Sequence, residues 1–596
     1  MANIMSMVQL RNNVSRNGFD LSQKRNFSAK SGELTPCMCV PCMAGDVHQW
    51  QPNSFTRTES INTAAYARMR EYYDYYFVPF NQLWNKFDTV ITQMKDNLQV
   101  ADGPFMADNE TLSLDLPFFT CESIARYISA LLGSGKDYNL FGFTRSYGTV
   151  RLLSYLGYPD FSIYLDSKNT WDNMPMPVNK MLSPFPLLAY QKVYSDFFRN
   201  SQWEKANPSN FNLNYIKGSN DLEIDLSDPK YFDELNFLDL RYANYNKDLF
   251  FGVLPNAQYG DTAAVPLNFV PGAVTIASFN FSSVPTNNSG VQIDNPNNFS
   301  SARLKTDSGV KLTSIPLSSS APVSELNILM LRQYEALQRW KEITQSVGQD
   351  YKSQIEAHLN VKVSELLSGQ SHYIGGIASS LDINPVINTN LVDENGTTIK
   401  GTGTIASNGN LEYEVRQQYG LIVGLYHVTP IFDYCVGQTA LACQLTSAFD
   451  FPIPELDRIG MESVPLTDLI NPTAADSGVL GQMVENHPNA LLGYAPRYVR
   501  WKTEIDISLG QFSKASGQSW VLPMNYELLE SQFYPGQKDS TYSFNLSWAF
   551  FKCNPHALDP IFAFKADSTY DTDQFRVSYY CQHYVVRSLD KDGLPY

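Results

Sequence analysis

A chain of 596 residues with a hydrophobic fraction of 43% has ample material for a core, yet only 17% of it is charged, and aromatics reach 13% through 35 Tyr and 35 Phe. That profile suits β-structure and broad contact surfaces rather than a helical enzyme. The net charge of −16 argues against a free nucleic-acid-binding protein, because phosphate recognition normally rests on a basic face.

The first 30 residues reverse the overall sign. Arg11, Arg16, Lys24, Arg25 and Lys30 stand there against one acid, Asp20, so a basic arm precedes an acidic body. The opening MANIMSMVQLRNNVSRNGFD lacks the apolar core and small-residue cleavage site of a secretory signal. No stretch approaches transmembrane length, LIVGLYHV (421–428) being far too short. The expectation is a chain made in a reducing cytoplasm, its 8 cysteines thiols rather than a disulfide framework.

Residues 33 to 60 read as extended, punctuated by Pro36, Pro41 and Gly45-Asp46. A helix is expected to begin within 61–76 and run into the aromatic strand YYDYYFVPF (72–80), which Pro79 ends. Alternation around Asp74 divides the rings of that strand between a core and a neighbouring surface, a better fit than a platform for stacking bases or sugars. The spacing of 185–203, FPLLAYQKVYSDFFRNSQW, predicts an amphipathic helix. Residues 262–320 are dense in Ser, Asn, Pro and Gly and nearly free of charge, which predicts a surface excursion. A long helix follows Pro322, with Ser324 as its N-cap. Leu326, Met330, Leu337, Trp340 and Val347 share one stripe, expected to pack on the body of the protein. From 400 onward the pattern is of strands separated by Gly, Pro and Asn turns, and no internal repeat is visible.

The motifs of catalysis fail one by one. Cys37, Cys39 and Cys42 lack the second paired knuckle of a zinc site and read as small buried strand residues. GSGK (133–136) has Ala130 where a phosphate loop needs its first glycine, and Asp137 in place of the magnesium-holding hydroxyl. GTGTIA (401–406) is followed by NGNLEYEV rather than a helix, which predicts a hairpin loop. The 7 histidines form no metal-spaced pair, and no Gly-x-Ser-x-Gly elbow occurs. These readings predict no catalytic residue, no cofactor and no metal.

Several phrases, taken in order, resemble the major capsid proteins of the Microviridae, especially the gokushovirus-like small single-stranded DNA phages. Tyr76, Phe77, Val78, Pro79, Phe80, Asn81, Gln82, Leu83 and Trp84 follow that family's F-F-V-P-x-R-L-x-W phrase, with Asn81 departing from its arginine. GFDLSQKRNFSAKSGELTPCMCVPCMAGD (18–46), AYQKVYSDFFRNSQW (189–203), SHYIGG (371–376) and EVRQQYGLIVGLYHVTPIFDY (414–434) add to it. FDFPIPELDRIGMESV (449–464), LLGYAPRYVRWK (491–502) and the ending QFRVSYYCQHYVVRSLDKDGLPY (574–596) complete the series.

The resemblance implies a mainly β subunit: a single jelly-roll barrel with long inserted loops and a few helices, assembling as a T=1 icosahedral shell around circular single-stranded DNA. It implies a basic arm (1–32), a first part of the barrel (33–261), a variable surface insertion at the three-fold protrusion (262–320), and a helix with the rest of the barrel (321–596). Tyr76, Phe77, Val78, Pro79 and Trp84 become candidates for barrel wall and corner. Arg11, Arg16, Lys24, Arg25 and Lys30 are candidates for DNA contact, with a solvated or intersubunit arm as the equal alternative. Implied partners are further copies of the chain, the packaged DNA, a small DNA-binding protein, a DNA pilot protein, an internal scaffolding protein and a bacterial surface receptor, with no membrane. The implied place is the virion, assembled in the host cytoplasm. The competing expectations are a jelly-roll glycan-binding or cell-surface protein, which should carry an export signal, and a carbohydrate-active enzyme, which needs a carboxylate pair in a cleft.

Overall fold

The computed structural model describes residues 15–92, 116–165, 180–216, 222–263 except 229, short strands within 280–314, then 328–387, 399–434 except 417, 445–469 except 446, 491–524 except 518, and 546–591. It divides into two compact units, Gln258–Ile343 and the remainder of the chain.

The larger unit is built on two antiparallel sheets. In the first, β1 (Asn17–Asp20) and β2 (Gln23–Ala29) both pair with the C-terminal strand β11 (Phe575–Arg587), which pairs in turn with β4 (Val47–Thr58). β4 also pairs with β8 (Ile399–Asn408) and β9 (Leu411–Glu414), and β8 carries β7 (Asp382–Ile387) at the edge. The second sheet runs β6 (His372–Ser380), β5 (Arg68–Pro79), β10 (Gly420–Ile431), β3 (Thr35–Cys42).

The residue pattern explains the two different strand types. In β4, VHQWQPNSFTRT, His48, Trp50, Pro52, Ser54, Thr56 and Thr58 are buried, and the residues between them face solvent. That alternation marks a sheet covered on one face. β10, GLIVGLYHVTPI, is buried over nearly its full length, as expected of a strand with both faces covered. Its glycine at 424 makes room for a ring: a Cβ there would lie 2.9 Å from the Tyr75 ring and 3.0 Å from Met38.

Between the sheets lies an aromatic core. Trp50, Tyr73, Tyr75, Phe77, Tyr426, Phe575 and Tyr579 are all buried in it. Tyr73 stacks on Tyr579 at 5.6 Å, and the hydroxyls of Tyr75 and Tyr579 are hydrogen-bonded at 2.9 Å. One carboxylate, Glu71, sits in the same interior. It accepts from Ser407 at 3.0 Å, from Tyr73 at 3.3 Å and from Thr56, so three strands of the sandwich satisfy it.

The far face of the second sheet is covered by helices α1 (Cys121–Gly133), α2 (Arg145–Leu156) and α3 (Phe185–Val193). Tyr76, Val78, Leu421, Val423 and Leu425 meet Ile124, Ile128, Leu153, Leu188 and Tyr190 in a second core. Helix α1 opens on Thr120, whose hydroxyl accepts from Ser123 N–H at 3.2 Å. Helix α2 ends at Gly157 in the left-handed region, φ 90°.

A buried ion cluster ties the N-terminal segment to α2 and to the start of β11. Lys30 Nζ donates to Asp573 at 2.6 Å and to the Thr569 carbonyl at 2.8 Å. Arg151 donates to the same Asp573 oxygen at 2.7 Å and to Glu33 at 2.6 Å. Burial alone would lower Arg151, but Glu33 and Asp573 outweigh it and hold the guanidinium above its ordinary range.

Several expectations need correction. Residues 61–67 are not helical: the Ile61 N–H donates to Gly401 O at 3.0 Å, and the chain runs extended into Arg68. Helix α3 is enclosed rather than amphipathic. Its polar Gln191 and Lys192 are buried and satisfied by the carbonyls of Phe237, Asp239 and Gly369 and by Asp196. GTGTIA is not a hairpin loop but lies within β8, where a Cβ at Gly403 would meet Thr58 at 2.7 Å and Leu381 at 2.8 Å. Among the described residues from 445 to 572, 3-10 turns outnumber strands.

The long helix exists as α4 (Ile328–Ser346), and Ser324 and Leu326 fall outside the described residues. Within it Met330 (36%), Leu337 (41%) and Trp340 (46%) are exposed. Among the described residues no helix is long and apolar enough to cross a membrane.

Asp573→Ala would leave Lys30 and Arg151 buried with only Glu33 between them. Loss of one partner from such a cluster costs about 3–5 kcal/mol. Denaturant titration of the variant should show that loss, and an unchanged midpoint would mean that the cluster does not hold the N-terminal segment.

Candidate functional site

The first sheet has one face in the core and one in the open, and register defines what the open face presents. Residues directly opposite in an antiparallel pair share a face. Lys24 stands opposite Tyr580, Tyr580 opposite Asn53, and Asn53 opposite Asn408, a row across four strands. The adjacent rows join Asn26, Ser578, Phe55 and Ala406, then Ser28, Arg576, Arg57 and Thr404. Further along, Tyr584 faces Gln49.

Large rings lie open on this surface: Phe55 at 42%, Tyr580 at 40% and Tyr584 at 54% exposure. The Arg57 guanidinium sits 5.2 Å from the Phe55 ring centre, and Arg576 pairs with Glu59. Rings interleaved with Lys24 and Arg57 can stack flat ligands and meet phosphates, and they can equally bury against another protein surface.

The sequence-nominated basic residues separate on this framework. Arg11 lies outside the described residues. Arg16 donates to the Gly45 carbonyl at the start of the sheet. Lys24 is exposed on the open face. Arg25 points the other way along β2, donating to Gln23 at 3.3 Å and to the Tyr155 carbonyl at 3.2 Å. Lys30 is buried in the ion cluster with Asp573 and has no route to a ligand in this subunit.

The wall and corner residues are interior. Phe77 packs in the inter-sheet core, while Tyr76, Val78 and Trp84 pack against the helical layer. Pro79 is buried as β5 turns into the short helix Phe80–Leu83. At Asn81, the departure from the family phrase, Oδ1 is buried without a hydrogen-bond partner. Phe55, Arg57, Arg576, Tyr580 and Tyr584 were not singled out by sequence. The signal available was the alternation in QFRVSYYCQHYVVR (574–587), which marks every second residue as outward.

On the inner side of the same strands sits a titratable pair. His48 Nδ1 and His583 Nε2 are 3.0 Å apart, and Asp46 lies 3.5 Å from His48 Nε2 while accepting from Arg587 at 2.8 Å. Burial pushes both imidazoles down to about 4, reinforced for His48 by His583 and for both by Arg587. Cys37, Cys39 and Cys42 lie along β3, and burial pushes their thiols up, Cys39 to about 11. Among the described residues no group of three or more His, Cys, Asp or Glu side chains is placed to hold a metal ion.

Residues 162–587 match the family described as capsid protein (F protein). The chain is also similar to the capsid protein VP1 of Chlamydia phage 1, with 24% identity over 217 residues. That alignment covers 35% of this chain and 35% of the relative, so it spans about a third of either.

The histidine pair gives a pH dependence of definite sign. With folded pKa values near 4 and an unfolded value of about 6.5, the unfolded chain binds the extra protons first. The stabilising contribution is complete above about pH 6.5 and is lost as pH falls toward 4. Unfolding midpoints between pH 7 and 4 should drop steeply in the natural chain and less steeply in a His48→Gln, His583→Gln double variant. Parallel curves would remove the pair from the acid response.

Proposed function

The chain belongs to the capsid protein (F protein) family, and from that premise we propose that it is the major capsid protein of a small single-stranded DNA phage, its copies closing a T=1 icosahedral shell around the genome. The match over 162–587 carries the proposal. The role is structural. Two antiparallel sheets enclosing one aromatic core support reading the larger unit as a single jelly-roll barrel whose outer sheet face is covered by inserted helices. Exposed rings on the open face of the first sheet support a subunit that buries surface only on assembly.

We read the open face, with Lys24, Arg57, Tyr580 and Tyr584, as the surface that meets the packaged strand. Arg11, Arg16 and Arg25 remain arm candidates, and Lys30 drops out because it is spent internally. The acidic chain then needs only local contacts to DNA, a separate small basic protein neutralising the rest. The Ser/Asn-rich stretch 262–320 is proposed as an exterior insertion at the three-fold protrusion and the part that meets the host receptor, which its separation within the compact unit Gln258–Ile343 supports. A pilot protein and an internal scaffold complete the proposed assembly in the host cytoplasm.

Electron microscopy of the purified chain should show uniform closed shells, and a persistent soluble monomer would sink the capsid reading. Deleting 262–320 should leave shells intact while abolishing attachment to the host; failure to assemble would make the insertion structural. For the open face, each phosphate contact on a single strand contributes a slope of about −0.7 in log K against log salt. Lys24→Gln with Arg57→Gln should therefore flatten the slope for single-stranded DNA by about 1.4, and Tyr580→Ala should cost about 1–3 kcal/mol if a base stacks there. An unchanged slope assigns the face to contacts between subunits instead.

A further inference from the structure

The strand YYDYYFVPF divides its residues between the two faces of the second sheet. Tyr73, Tyr75 and Phe77 enter the inter-sheet core, and Tyr76 and Val78 meet the helical layer. Tyr72 and Asp74 do neither. They line a cavity of ≈ 390 Å³ on the outer face of the second sheet, bounded by Phe197 and Phe198 at the end of the α3 segment, by Asn244, and by Tyr373 of β6 and His427 of β10. Such a volume lies within the range of small-molecule sites.

The cavity combines aromatic walls with one carboxylate, Asp74, and with the polar side chains of Asn244, Asn246 and Thr429. Tyr72 stacks on His427 at 4.9 Å and 11°, and Phe198 meets the same imidazole edge-on at 5.4 Å. Asp74 accepts from Tyr373 Oη at 3.1 Å, and no lysine or arginine is among the described residues lining the space. Burial pushes the Asp74 carboxyl up to about 6, in keeping with a carboxylate taken from water without a cation beside it. His427 is pushed down to about 3 by burial and so stays neutral. Two buried polar atoms of the lining, Asn244 Oδ1 and His427 Nδ1, have no hydrogen-bond partner.

Charges on the surrounding elements do not cancel this bias. Arg70, two residues before Tyr72 on the same face of β5, is exposed to solvent. Lys552 lies behind Phe198, donating to its carbonyl at 2.8 Å, but it is compensated by Glu204 at 3.5 Å and lowered by burial to about 8.

The geometry points to a binding site for a small organic cation, an alkylammonium of diamine size, held by the Asp74 carboxylate and flanked by the rings of Tyr72, Phe197 and Tyr373. An ammonium donates to the Asp74 carboxylate and brings the positive charge that the described lining lacks, and aromatic faces attract it. A neutral sugar would also find rings and acceptors, but it would leave the desolvated carboxylate uncompensated. The acidic chain, −16 overall, favours the approach of such a cation.

Isothermal titration of the full-length purified chain with putrescine tests this, with 1,4-butanediol as the uncharged match in length and glucose as the sugar probe. Saturable putrescine binding, no butanediol or glucose binding, and at least a tenfold loss of affinity in Asp74→Asn are expected. A second variant, Tyr72→Ala, should also weaken putrescine, and thermal unfolding would verify that both variants fold. Glucose or butanediol binding as well as putrescine, unchanged affinity in folded Asp74→Asn, or no putrescine binding by the natural chain would each overturn the assignment.

Discussion

The whole larger unit depends on the insertion of one strand, Phe575–Arg587, between the N-terminal strands and β4. It pairs with Asn17–Asp20 and Gln23–Ala29 on one edge and with Val47–Thr58 on the other. Without it the N-terminal strands have no partner in the first sheet, and β4 loses every pairing on one of its two edges. The inter-sheet core depends on it as well, because Phe575, Val577, Tyr579 and Cys581 are its inward residues. Tyr579 alone stacks on Tyr73 and bonds to Tyr75 from the facing sheet.

The same strand makes the open face, since its alternate residues Arg576, Tyr580 and Tyr584 point outward. Core and surface are therefore locked to one register: a slip by one residue would exchange Tyr579 with Tyr580 and ruin both. The ion cluster at its start and the Asp46–Arg587 pair at its end fasten the strand at both limits. Two buried charge groups thus bracket a strand whose middle is held by rings.

Local pattern predicted the strand regions of β3, β4, β10 and β11 well, and the ordered phrases carried the family. Tertiary cover was much less legible. Alternation in YYDYYFVPF separates inward from outward rings, but it cannot distinguish Tyr76, met by helices from 120–190, from Tyr72, left beside a cavity. Periodicity in 326–347 shows which residues share a side of a helix, not what lies over that side. GTGTIA is expected to be a hairpin loop because NGNLEYEV rather than a helix follows it, yet it lies in a strand where Gly403 packs closely against Thr58 and Leu381. His48 and His583, 535 positions apart, could not be brought together by any local rule. Lys30 belonged by composition to a basic arm and by burial to the interior.

Joining the first described strands to the last also sets an order in time. During synthesis β1, β2 and β4 emerge early, yet the strand that completes them follows more than 500 residues later. Such distant pairing is slow and leaves strand edges open in the interval. A chain still being made therefore lacks both the finished aromatic core and the continuous outer face. The first sheet is complete only in a chain that has been read through residue 587.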